Sequence, residues 1–326
     1  MAQHYTLFPA TKNAIDAVTG IYDFVWPTAA AVWNLRWQVA GYQSVCGTTT
    51  VDELNARFVE GSGIHGANIR RFCLEKTWQQ QQRELAKITL VNLFAIYETW
   101  ATEIVASLAP GLVAGTDAEK KKAEQIVKGL QFPTSTNPKG VGRGIGAVLP
   151  MLVGKASAVM ISDMQPVLRG QAKVQFGYVE QLLSIYRYFK ECRNCLMHVG
   201  GKATENAVMA SNGLAVTAGT ALPFAIPTCL PLGLGDPVVV ELRDVVGFSD
   251  ILLRIVLSID VELSSSQRAE DALVGQWREK FGKVQMPADA KRRHAKIRRY
   301  FGKLGLPPLP KIASLDQLLV DKGLVF

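Results

Sequence analysis

At 326 residues, 48% of them hydrophobic and 20% charged, the chain can bury a sizeable core, which excludes an intrinsically disordered protein. Five cysteines are odd in number and few for this length, which argues against a disulfide framework and for reduced thiols in a cytoplasmic protein. The net charge of +8 is local: eleven Lys or Arg against two acids lie between Arg278 and Lys311, while elsewhere 25 basic and 26 acidic groups nearly cancel.

The start, "MAQHYTLFPATKNAID", lacks a charged segment followed by an apolar one, so no secretory leader is expected. Residues 1–66 form an aromatic-rich N-terminal helical region that contains "IYDFVWPTAAAVWNLRW". Thr50 is placed to cap a helix from Val51, with Glu53 completing a capping box. The glycines of "GSGIHG" break that helix before "ANIRRF" resumes it. The pair reads as an ordinary helical hairpin, with a DNA-binding helix-turn-helix as the alternative.

From Ala67 to Leu108 some forty residues contain neither proline nor glycine. Leu85, Ile88, Leu90, Phe94, Ile96, Tyr97, Trp100 and Ile104 recur at helical spacing, which predicts one long helix or two nearly continuous ones. Glu98 stands in the most apolar part: facing the core it needs a partner, and on the opposite stripe it is simply exposed. "TDAEKKKAEQIVKGL" reads as a charged surface helix. Glycines 140, 142, 144 and 146 match neither G-x-x-x-x-G-K-S/T nor a strand-borne G-x-G-x-x-G, so a flexible loop is expected there.

A second long helix follows in "AKVQFGYVEQLLSIYRYFKECRNCLMHVGG". Val174, Val179, Leu182, Leu183, Tyr186, Phe189 and Leu196 form its apolar side, and Gly200 and Gly201 form its C-terminal stop. Residues 206–235 carry no charge, yet Pro223, Pro227 and Pro231 recur every fourth position. A lipid-spanning helix would be broken by them, so a packed loop with short strands is expected and no membrane span. A strand from Val238 to Leu242, a helix from about Val245 to Leu263, and a basic tail around "DAKRRHAKIRRYFGKLG" complete the chain.

The densest chemistry lies in "ECRNCLMHVGG", residues 191–201. Cys192, Cys195 and His198 are three apart, but zinc needs a fourth ligand, and Cys46, Cys73, Cys229, His4, His65 and His294 are solitary. No metal or other cofactor is expected. A redox C-x-x-C belongs at a helix N-terminus, whereas this pair stands near the C-terminus, so the cysteines read as small core residues. Arg193, Asn194 and His198 remain. Asn194 and His198 share a helix face, with Arg193 about 140° from His198. An imidazole can move a proton, a guanidinium can grip a phosphate and stabilise charge at phosphorus, and an amide can position either. The alternative is structural, with Arg193 and His198 serving the last carbonyls of the helix.

"RNCLMH" fits the R-x4-H pattern, with Asn after the Arg, and in this respect the chain resembles the HEPN superfamily. The order of a long helix with an internal Glu ("LFAIYETW"), an insertion, the motif helix, a strand-bearing segment and a closing helix is also similar to HEPN over about residues 67–265. The resemblance implies a mainly α fold: a HEPN-like helical bundle with a small strand-bearing insertion, an N-terminal helical region at 1–66 and a basic extension at 266–326. It implies a homodimer with a composite cleft and a metal-independent endoribonuclease that attacks through the ribose 2′-OH, on tRNA or other RNA. Toxin–antitoxin, abortive-infection and antiviral defence systems use such domains, so an antitoxin or defence-system partner is a further expectation. Carried over by position, His198 is the acid/base, Arg193 the phosphate stabiliser, Asn194 the positioner and Glu98 an accessory. Other HEPN proteins are non-catalytic binding modules or antitoxin-like partners, and that reading stays open. For RNA contact the basic segment offers Lys291, Arg292, Arg293, Lys296, Arg298, Arg299 and Tyr300, with a solvated basic helix as the alternative.

Overall fold

The computed structural model describes residues 4–217 and 222–326, and it is built almost wholly of helices. Helix α1 (Pro9–Cys46) opens with proline at its first turn, where the fixed φ suits a helix start, and it continues through Pro27. Its apolar side, including Ala14, Val18 and Val25, is buried in the main core. Helix α2 (Val51–Phe58) begins at Thr50 with the expected capping box to Glu53. Leu54 joins Val39, Ile69 and Cys73 in a small second core, and a π turn (Arg71–Glu75) leads onward.

Helix α3 (Trp78–Leu108) buries Leu90, Phe94, Tyr97, Trp100 and Ile104, as its spacing predicts. Ile88 does not follow them: it is 60% exposed, because it projects about 160° away from Leu90 around the helix. Short α4 (Pro110–Ala114) precedes the charged helix α5 (Asp117–Gly129), which is capped by Thr116 and Glu119.

The glycine-rich stretch expected as a flexible loop is instead a small antiparallel hairpin, β1 (Ser135–Thr136) with β2 (Gly142–Arg143), running straight into α6 (Ile145–Val153). Gly144 makes this turn possible. Its φ is +77°, and a Cβ there would stand 2.0 Å from the Pro133 carbonyl oxygen. Gly144→Ala should therefore cost about 2–4 kcal/mol, read as a lower urea midpoint at unchanged slope. Gly140→Ala, also at positive φ but facing open space, should cost only about 1–2 kcal/mol.

A π turn (Met160–Met164), α7 (Gln165–Arg169) and a 3₁₀ turn (Phe176–Tyr178) lead into α8 (Val179–His198). Val174 falls before α8 rather than in it. Helix α9 (Glu205–Thr217) occupies the start of the uncharged segment, residues 218–221 lie outside the described part, and residues 222–235 contain no strand. Among the described residues no helix is long and apolar enough to cross a membrane. The expected strand at Val238–Leu242 does not form. The segment makes one bridge, Lys202 with Pro237, and Leu242 already belongs to α10 (Leu242–Leu263). The pairing with residues 201–203, which ends with the Val238 N–H on the Gly201 carbonyl at 2.8 Å, goes no further along the segment, so no ladder forms.

The basic segment is folded. Helices α11 (Gln267–Phe281), α12 (Ala290–Lys303) and α13 (Ala313–Asp321) bury Trp277, Ile297, Phe301, Leu315 and Leu319 in the same apolar cluster that begins at Leu7. Val284 pairs with Val325, closing the last residues against the chain. At the centre α3, α8 and α10 meet through aromatic rings. Phe94 lies 5.0 Å from Tyr186 and 5.1 Å from Phe248, and Phe189 stacks on Phe248 at 4.8 Å. This packed contact fixes the orientation of α8 and hence of whatever its polar side presents.

Candidate functional site

The C-terminal half of α8 divides cleanly by burial. Tyr186, Phe189, Cys192 and Cys195 face the core, and each is 1% exposed or less. Burial pushes the Cys192 thiol up to about 12, which leaves it protonated and unreactive. All five cysteines are free. Among the described residues no group of three His, Cys, Asp or Glu side chains is placed to hold a metal ion.

The helix ends at His198. The N–H of Gly201 bonds the Cys195 carbonyl at 2.9 Å, with Gly200 and Gly201 at φ +65° and +78°. This turn satisfies the orphan carbonyls and needs residues without Cβ. The Arg193 guanidinium donates to Asn194 rather than to these carbonyls, while His198 stands in the last turn, where the structural alternative placed its cation. His198 is exposed, with Met197 and Val199 exposed on either side of it.

Asn194 is held from two sides. Its Oδ1 accepts from Arg193 Nη1 at 3.0 Å, and its Nδ2 donates to Glu191 Oε2 at 3.4 Å. The Arg193 guanidinium lies 5.9 Å from the Phe94 ring centroid, and its Nε is buried without a partner. Glu98, on α3, is partly exposed and faces α8 through Lys190, Oε1 to Nζ 3.8 Å. The structure thus brings together Arg193 and Asn194, and reaches Glu98 by way of Lys190. It does not bring Arg193 onto His198 within one chain, since about 140° of helix separates them.

Sequence reading passed over two further cations on this side of α8, Arg187 and Lys190. Both lie over the Phe132 ring, at 5.5 and 5.3 Å from its centroid, and Lys190 also donates to Gln131 Oε1 at 2.5 Å. Their spacing of three from each other and from Arg193 was a readable signal. The position of Phe132, over fifty residues away, was not.

The basic residues of α12 divide by partner. Arg293 is ion-paired to Asp316 at 2.7 Å, with His294 at 3.5 Å from the same carboxylate. Lys296 donates to the Gln285 carbonyl and Arg298 to those of Leu309 and Pro310. Tyr300 packs between Trp277 and Phe281, at 5.3 and 4.7 Å, instead of offering a free stacking face. Lys291, Arg292 and Arg299 are exposed, and their side chains have no partner among the described residues.

Comparison with known proteins adds nothing to this geometry: no protein-family model, no curated protein and no solved structure matches the chain.

Proposed function

We propose that the chain is a HEPN-type, metal-independent endoribonuclease acting in the cytoplasm as a homodimer, in the manner of a toxin or antiviral defence effector with a dedicated protein partner. The observation that carries this reading is the last turn of α8: an exposed His198 with a fixed Arg193–Asn194 pair behind it, on a helix clamped by the core. The 140° between Arg193 and His198 suits a site completed by a second copy, and the exposed Met197 and Val199 beside His198 offer apolar surface for that copy to cover.

In this reading the 2′-OH proton passes to one imidazole as the 2′-oxygen forms a bond to phosphorus. The bond from phosphorus to the 5′-oxygen breaks, and the leaving oxygen takes a proton from the imidazole of the other copy. Arg193 stabilises the charge that develops on the non-bridging oxygens, and Asn194 holds that guanidinium in place. The products are a 2′,3′-cyclic phosphate and a 5′-hydroxyl. Purified protein incubated with RNA in EDTA tests this directly. Cyclic-phosphate ends, and loss of cutting when the scissile ribose is 2′-deoxy, are expected; intact RNA, or ends carrying a 3′-hydroxyl, refute it.

Lys291, Arg292 and Arg299 supply an exposed face for RNA backbone whether or not cleavage occurs, which also suits the reading as a binding module. Replacing all three by Ala should weaken RNA binding and reduce the slope of log affinity against log salt by about 2 for a single strand. A fluorescence anisotropy salt series measures it, and an unchanged slope removes this face from the interface.

A further inference from the structure

The segment after α5 lies along α8. Tyr97 fixes its start through a 2.7 Å bond to the Leu130 carbonyl, Gln131 meets Lys190, Phe132 meets Arg187, and the Thr134 N–H donates to Glu180 at 2.7 Å. The segment therefore covers the early turns of α8 and stops short of the turn that carries Asn194 and His198. Arg187, Lys190 and Arg193 rise along the helix at its edge, each about 4.5 Å beyond the last.

Three cations this close repel one another, and burial together with Arg193 and Arg187 lowers the Lys190 pKa against the pull of Glu98 and Glu191. The facing acids answer only part of this charge. Glu98 stands 3.8 Å from Lys190, and Glu191 is engaged by Asn194. Arg187 has no ion pair or hydrogen bond among the described residues, and its guanidinium lies over the Phe132 ring. The Nε atoms of both Arg187 and Arg193 are buried and unpartnered, as is the hydroxyl of Tyr186, a fully buried ring whose electrostatic neighbours are Tyr97, Glu98 and Arg193. Buried guanidinium donors beside positive charge that the neighbouring acids only partly offset favour an anionic ligand on this side of α8.

We infer that Arg187 and Lys190, held against Phe132, form a second phosphate subsite that binds a backbone phosphate about two nucleotides from the scissile one. The inference rests on the reading of α8 as a ribonuclease site. On α8, Arg187 lies within about 20° of His198, and about 16 Å before it along the axis. A strand laid along this face from His198 meets Arg187 and Lys190 beyond the reacting phosphate. The subsite anchors the strand and sets which bond reaches the histidines; it takes no part in proton transfer.

The test uses full-length protein and a short all-2′-deoxy single strand, which cannot be cut by 2′-OH attack, so binding is read apart from chemistry. Arg187→Gln and Lys190→Gln should each weaken binding about 5–30-fold and lower the salt slope by about 0.7. Neutralising one phosphate as a methylphosphonate should cost wild type the same factor at one position only, and cost Arg187→Gln nothing further there. Arg187→Lys, which keeps the charge, should recover part of the loss, and circular dichroism melts verify that each variant is folded. Because the α12 face lies on another helix, its triple variant should add to these losses rather than mask them. Wild-type affinity and slope in folded Arg187→Gln overturn the subsite even if RNA is cleaved. Weakened binding with RNA left uncut by wild type sustains the subsite and sinks the nuclease reading.

Discussion

His198→Ala should leave the fold intact and, if the proposed ribonuclease reading holds, reduce RNA cleavage by about 10²–10⁴-fold, the span that general acid–base catalysis supplies. The fold is indifferent because His198 is exposed, has no hydrogen-bond partner among the described residues, and precedes a glycine turn whose bonds are all backbone. In the proposed dimer both proton transfers would fail, since each copy would contribute its histidine to the shared site. Mixing His198→Ala with Arg193→Ala chains provides a sharper reading. In a shared site a mixed dimer holds one histidine and one arginine, whereas each parent dimer lacks one of the two kinds altogether, so activity should rise above both parents and stay well below wild type. Two inactive preparations that stay inactive after denaturation, mixing and refolding would place each site wholly within one chain. Identical toxicity and intact cellular RNA for wild type and both variants would remove the enzyme altogether.

The second large effect is on stability and comes from Asp260. This carboxylate, on α10, is fully buried, and it accepts from the N–H of Leu7 at 2.9 Å, the N–H of Phe8 at 3.2 Å and the Thr11 hydroxyl. Thr11 in turn accepts from the Trp100 indole at 3.0 Å, so one network ties the start of α1 to α3 and α10. Asp260→Ala strands three buried donors and should cost about 3–5 kcal/mol in urea unfolding. Burial raises the Asp260 pKa from 3.8 to about 6, in spite of the hydrogen bonds that oppose the rise.

The native state therefore binds more protons than the unfolded chain between about pH 4 and 6. The contribution of this group to stability is fully present below pH 4, declines as pH rises through 6, and is flat above. The difference is on the order of 3 kcal/mol. Asp260→Asn removes the titration, so its unfolding free energy should lack that decline relative to wild type. A decline of equal size in Asp260→Asn would assign it to other groups.

Some of this was legible along the chain because its causes are local. The capping boxes at Thr50 and Thr116 need residues only three apart, and both form. The stop at Gly200–Gly201 follows from φ alone, and the buried stripe of α8 follows from helical period. Features that depend on a partner were not legible. Val238–Leu242 has strand-like composition, but its pairing with residues 201–203 stops at Val238. The alternate glycines became a hairpin because Gly144 packs on the Pro133 carbonyl. Tyr300 had the residue type for stacking on a base, yet its ring packs against Trp277 and Phe281.

By itself the sequence determined a mainly helical chain, the position of its helix stops, and a compact set of phosphate-competent side chains at the end of one core helix. Periodicity and capping are carried by near neighbours, so a linear reading suffices for them. Only the tertiary structure decided which of those side chains are engaged. It paired Arg293 with Asp316, left Lys291, Arg292 and Arg299 open, and set Phe132 against Arg187 and Lys190. Whether a charge is spent on the fold or left for a ligand depends on groups tens of residues away, and only packing brings those together.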